Sequence, residues 1–148
     1  MTQQDESRDT AIGSVYDQIE AIYQRAVARS RRINAPLTAV EQSLLSYIGR
    51  NPGCRATDIA SAFSLNRSTV SRQLHALGDL GLVIEGDDDD GQARRGRPLQ
   101  VTEEGADRLD RSLAIHREAV RARLDGWSES ELRHFAAALD RFNSGQDS

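Results

Sequence analysis

The chain has 148 residues, a length that points to one domain rather than two. Apolar residues make up 38% and charged residues 28%, enough for a modest core under a well-solvated surface. The formal net charge is −4, so a polyanionic partner has to be met by a local basic patch. All 19 basic residues are arginine. One cysteine, Cys54, excludes an internal disulfide and a thiolate zinc cluster, and three scattered histidines do not suggest a metal site. The polar, acidic start of the sequence lacks a signal-peptide pattern, and no run nears the roughly 20 apolar residues of a membrane span. The expectation is a cytoplasmic protein.

The first periodic segment runs from about Thr10 to Arg32. Ile12, Val15, Tyr16, Ile19, Ile22, Tyr23, Ala26 and Val27 fall in one helical stripe. Arg25, Arg29, Arg31 and Arg32 suit the negative end of the helix dipole. Such a stripe needs a partner. After Pro36, Thr38 and Glu41 read as a capping box opening a second helix, with Val40, Leu44, Leu45, Tyr47 and Ile48 on its apolar side. Asn51-Pro52-Gly53 stops it.

A short helix is expected from about Arg55 to Phe63, with Ile59, Ala60 and Phe63 inward. Arg55 takes its N-cap position, where Ser or Thr would cap better. Ser64-Leu65-Asn66 is long enough only for a turn. The next helix spans about Arg67 to Asp79. Val70, Leu74 and Leu77 share one side, and Ser68, Arg72 and His75 stand opposite, flanked by Thr69 and Ser71. Gly81 ends it. Leu82-Val83-Ile84 and Leu99-Gln100-Val101 read as two strands of a hairpin with a long charged tip, Gly86 to Pro98. Thr102 opens a long helix to about Asp125, striped by Ala106, Leu109, Leu113, His116, Val120 and Leu124. Trp127, Ser128, Glu131 and Leu132 combine a hydrophobic staple with a capping box. Leu132, Phe135, Ala136, Leu139 and Phe142 stripe the last helix.

Helix, short helix, turn, helix and hairpin in this order make a helix-turn-helix with a β wing, whose second helix fits a major groove. Leu37-Thr38 with Gln42, Asp58-Ile59-Ala60, Ser68-Thr69-Val70-Ser71-Arg72, Leu80-Gly81-Leu82-Val83 and Val101-Thr102-Glu103-Glu104-Gly105 resemble the MarR family of bacterial transcriptional regulators. The resemblance implies a mainly α winged helix-turn-helix with terminal dimerisation helices. The corresponding division is residues 1–36 for N-terminal dimerisation, 37–101 for DNA binding and 102–148 for C-terminal dimerisation. Family members commonly carry an Asp before the wing arginines, in an Asp–Arg pair that braces the hairpin. Here Ala93 stands there, and Asp89 or Asp90 is the expected substitute.

The candidate DNA contacts are Arg67, Ser68, Thr69, Ser71, Arg72 and His75 on the recognition helix, and Arg94, Arg95 and Arg97 on the wing. Arginine can read guanine O6 and N7 or bind phosphate, and hydroxyls bond phosphates or base edges. Arg95-Gly96-Arg97-Pro98 resembles the minor-groove core of the AT-hook motif, with the glycine allowing close approach. Asp87 to Asp90 are expected to partner these arginines. A calcium loop is excluded because Gly86 and Arg97 fall where carboxylates are needed. The resemblance also implies a pocket for small aromatic anions, for which Tyr16, Tyr23, Tyr47 and His116 are candidates, with Trp127 beside them. Cys54 reads as a buried structural thiol rather than a redox sensor. No Ser-His-Asp set or phosphate-cradling glycine loop suggests catalysis, and no cofactor is expected.

The expected function is a homodimeric regulator, a repressor released by a small ligand. It would bind a pseudo-palindromic double-stranded DNA operator with half-sites about one helical turn apart. The competing reading is a protein-interaction module that uses the winged helix as a scaffold and never touches DNA.

Overall fold

The structure, a computed structural model, describes residues 2–32, 35–88, 91 and 93–145. In chain order it contains α1 (Gln3–Arg32), α2 (Ala39–Arg50), α3 (Ala56–Ala62), α4 (Arg67–Asp79), β1 (Val83–Glu85), β2 (Leu99–Val101), α5 (Glu103–Arg123) and α6 (Glu129–Asn143). A single 3₁₀ turn, Ala93–Arg95, lies between the strands. The fold is mainly α with one two-stranded antiparallel sheet, as the sequence predicts. Two compact units divide the chain, residues 1–112 and 113–148.

In the first unit, α1 begins at Gln3, a full two turns before the first periodic residues. The added turns are polar, so hydrophobic spacing carries no trace of them. Asp5 and Glu6 suit the positive end of the helix dipole, and Thr2 and Asp5 bond one another there. The apolar stripe of α1 is exposed from Ile12 to Tyr23.

The core lies among α2, α3, α4 and the hairpin. Leu44, Leu45 and Ile48 of α2, Ile59 of α3, and Val70 and Leu77 of α4 are buried, together with Leu37, Leu82, Val83 and Leu99. Each such side chain stabilises the fold by about 1.5–3 kcal/mol relative to exposure. Phe63 departs from its inward expectation: it sits at the rim, 36% exposed, and meets Tyr47 edge-on at 5.6 Å between ring centroids. Thr38 caps α2 with the expected reciprocal box, accepting from Glu41 N at 3.2 Å while Glu41 accepts from Thr38 N at 3.4 Å. Ser64, at φ 51°, turns the chain between α3 and α4.

β1 and β2 pair Val83 with Val101, Ile84 with Gln100 and Glu85 with Leu99. The chain before α3 adds to the far edge of β2: Gly53 N donates to the Leu99 carbonyl, and Leu99 N donates to that of Cys54, both at 2.8 Å. The wing is therefore tied at Leu99 to the α2–α3 connection. The start of α5 packs over the strands at Gly105, where a Cβ would overlap the Leu82 carbonyl oxygen and crowd Val101. Thr102 secures this entry, its Oγ1 donating to the Gly81 carbonyl at 2.6 Å and accepting from Gly105 N at 3.0 Å. Further along α5, buried Ser112 donates to Gln42 Oε1 of α2 at 2.7 Å.

In the second unit Ser128 and Glu131 form the expected capping box of α6. Trp127 shares a groove with Leu132, Val120 and Leu124, and its ring also meets Phe135 at 5.4 Å. Phe135, Leu139 and Phe142 are exposed.

Candidate nucleic-acid interface

Asn66 starts α4 by accepting from Thr69 N at 2.8 Å, and Ser68 Oγ donates to the same Asn66 oxygen at 2.8 Å. With Val70 and Leu77 buried and Leu74 packed on the core, the opposite face is fixed toward solvent. Arg67, Ser68, Ser71, Arg72 and His75 are exposed on it, and Thr69 is half-buried. No acid lies within its first three turns; Asp79 enters at the end, with His75 Nε2 at 3.6 Å from its Oδ2.

The wing meets this helix in a cleft. Arg67, Ser71, Leu74 and His75 line it from α4, and Glu85, Arg97 and Leu99 line it from the hairpin. Arg67 and Arg97, thirty residues apart in sequence, are thus brought to one surface. Glu85 is the acid in this cleft that inspection of α4 alone does not reveal.

The three wing arginines divide by partner. Arg95 Nη2 pairs with Asp58 Oδ1 of α3 at 2.8 Å, and Arg95 exchanges hydrogen bonds with Thr57. Arg94 and Arg97 are exposed, and among the described residues neither has an ion pair. Of the acidic run expected to partner the wing arginines, Asp88 bonds Arg55, 3.1 Å away at the head of α3. Asp89 and Asp90, the expected brace, lie outside the described residues. Gly96 also has a structural reason to be glycine. Its φ is +89°, and a Cβ there would come within 3.1 Å of Ala56 Cβ and 3.2 Å of Ala56 N. The glycine lets the wing sit close on α3.

Arg55 is the residue whose role sequence reasoning missed. Its side chain gives α3 no cap hydrogen bond, and Asp58 accepts from Arg55 N at 2.8 Å instead. The guanidinium is turned inward, 6% exposed for the residue as a whole, and Nη1 donates to the Gly96 carbonyl at 2.6 Å as well as to Asp88. A poor cap at a helix start was the one available signal.

Cys54 is buried, and burial first, then the nearby Asp58 charge, raises its thiol pKa. A raised pKa suppresses the reactive thiolate. Among the aromatic candidates, Tyr16 and Tyr23 are 64% and 66% exposed on α1, Tyr47 packs against Phe63, and His116 lies half-buried on α5 in the second unit. Among the described residues, no group of three or more His, Cys, Asp or Glu could hold a metal ion, and no helix is long and apolar enough to cross a membrane.

A short helix, a four-residue turn, a solvent-facing second helix and a seated hairpin define a winged helix-turn-helix protein. Residues 35–94 match the model of the MarR family. The fold is similar to that of a MarR family protein from Bacillus stearothermophilus, at 16% identity and a TM-score of 0.79, covering 91% of this chain and 94% of that one. It is also similar to S. aureus MepR, solved with DNA, at 22% identity and a TM-score of 0.59 over 88% of this chain and 92% of that one. A Mycobacterium tuberculosis MarR family protein in complex with salicylic acid is similar at 22% identity and a TM-score of 0.63, covering 88% of this chain and 94% of that one. No curated protein matches the sequence.

Proposed function

We propose that this protein is a cytoplasmic, homodimeric DNA-binding transcription regulator that represses by occupying its operator. The observation that carries the reading is the shared cleft of α4 and the wing, which sets Arg67, Ser71 and His75 beside Arg97. In the proposed complex α4 lies in the major groove. Arg67, Arg72 and His75 reach base edges or phosphates, and Ser68, Thr69 and Ser71 bond the backbone. Arg94 and Arg97 extend to the adjacent minor groove or its phosphates. Arg95, paired with Asp58, contributes mainly by holding the wing. The helices of 1–36 and 102–148 supply the dimer contacts, a role supported by the exposed stripes of α1 and α6. Two wings and two recognition helices then read a pseudo-palindromic site with half-sites about one turn apart.

The releasing ligand in this reading is a small aromatic anion, with Tyr16, Tyr23, Tyr47 and His116 as candidate contacts. MepR was solved with DNA and the mycobacterial relative with salicylic acid, which supports both choices of partner by analogy of fold.

Selection of genomic fragments by the purified protein tests the function. Enrichment of a pseudo-palindrome, with salicylate lowering its affinity, is the expected result. Absence of any enriched sequence would leave the winged helix as a protein-interaction scaffold.

A further inference from the structure

We propose that Arg55 is the positioning residue of the wing: from the head of α3 it holds the hairpin in the orientation that presents Arg94 and Arg97 to DNA. This rests on the DNA-binding reading above. Residue type, burial and partners all argue for it. A buried guanidinium is costly unless it is both paired and hydrogen-bonded, so its partners define what it is there to hold. Here one nitrogen, Nη1, bonds Asp88 on the β1 side of the wing and the Gly96 carbonyl on the β2 side, at 3.1 Å and 2.6 Å. Both limbs of the hairpin are thus fastened to one side chain of the helix-turn-helix. Asp88 is itself largely covered, its side chain 13% exposed. Gly96 presses on Ala56, the next residue after Arg55, so the hydrogen bond and the close packing fix the same point. Arg97 follows directly and enters the cleft beside Arg67.

Position 55 also explains the missing cap. The backbone there serves α3, with Asp58 accepting its N–H, while the side chain is diverted to the wing. Capping and clamping can therefore be separated by mutation. In Arg55→Thr the hydroxyl supplies the preferred N-cap and keeps α3 well started, but reaches neither Asp88 nor Gly96. In Arg55→Lys a single ammonium retains charge and one partner without the planar fork.

The experiment has a readout independent of DNA. Native-state trypsin cleavage after Arg94 and Arg95 reports how firmly the wing is held. Arg55→Thr should be cut there at least tenfold faster than the parent, with Arg55→Lys between them and the thermal midpoint of Arg55→Thr confirming that the fold survives. The second readout is affinity for a duplex bearing the selected operator. Arg55→Thr should bind at least tenfold more weakly, and should lose nothing further when introduced into an Arg94→Ala, Arg97→Ala background, because it acts through those side chains. Unchanged cleavage would overturn the proposal. So would faster cleavage with unchanged operator affinity, or the same tenfold loss in both backgrounds, which would place the effect away from the wing. If the parent protein binds no duplex, the DNA-binding reading falls and the cleavage rates still decide whether Arg55 holds the wing.

Discussion

Single residues show how opposing terms are settled at close quarters. Gly105 lies in the first turn of α5, where alanine would ordinarily stabilise a helix by about 0.5–1 kcal/mol. A Cβ there, however, meets the Leu82 carbonyl oxygen, which already accepts from Thr102 N at 3.0 Å. Backbone cannot swing aside as a flexible side chain can, and overpacking costs about 1–3 kcal/mol or more. Gly105→Ala should therefore be destabilising in urea unfolding despite its better propensity, and a stabilised variant would show that α5 can lift off the strands. Arg72 is the opposite case, an exposed side chain with no ion pair among the described residues. Arg72→Ala should leave the unfolding midpoint unchanged. Operator affinity should fall by about 1–3 kcal/mol if Arg72 reads a guanine, with base preference relaxed at one position in each half-site. Equal affinity of variant and parent would remove Arg72 from recognition.

At the scale of elements, what was legible in the sequence was what local chemistry writes. α4 runs Arg67–Asp79 and stops before Gly81, as the periodicity predicts, with Asn66 as the cap that the structure adds. The Thr38/Glu41 and Ser128/Glu131 boxes likewise mark true helix starts. What was not legible is long-range. Arg55 and Gly96 are separated by 41 positions, and no spacing rule joins a helix cap to a wing carbonyl. Thr57 and Asp58 meet Arg95 across a similar separation. The residues on the solvent face of α4 were therefore readable, whereas the pairing of Arg95 with Asp58, while Arg94 and Arg97 have no ion pair among the described residues, required the fold. The α6 box carries a pH signature. Hydrogen bonds from Ser128, backbone first and hydroxyl second, hold the Glu131 carboxyl below its ordinary pKa. A group with a depressed folded pKa contributes stability above its unfolded value and loses it as pH falls through the folded one. Hydrogen exchange at the first turn of α6, taken relative to the intrinsic rate at each pH, should accordingly quicken on acidification below the usual glutamate range. In Glu131→Gln, which keeps an acceptor but does not titrate, that acid-dependent quickening should disappear. Its persistence would assign the pH response to another group.

On the scale of the whole molecule, two surfaces remain to be used: apolar stripes on α1 and α6, and the wing arginines on a chain of net charge −4. The stripes argue for self-association, so sedimentation at micromolar concentration should show a dimer, and Leu139→Glu, altering a 41% exposed leucine of α6, should shift it toward monomer. A parent that sediments as a monomer at that concentration would refute the assignment. The wing argues about delivery to DNA. With a negative total, the long-range field does not favour a polyanion, and attraction has to come from a few arginines within a Debye length of the phosphates, about 8 Å at physiological salt. Arg95 already faces Asp58, so removing it would mix loss of tether with loss of charge. Arg94 and Arg97 are the clean probes. If each meets a phosphate, Arg94→Ala with Arg97→Ala should lower the log–log salt slope of operator binding by about 0.9 per lost contact in each subunit, hence by about 3–4 for a dimer. Base preference set by α4 should be retained, since phosphate contacts position the protein without reading sequence. A slope equal to the parent's, with operator binding intact, would make the wing a bystander and leave recognition to α4 alone.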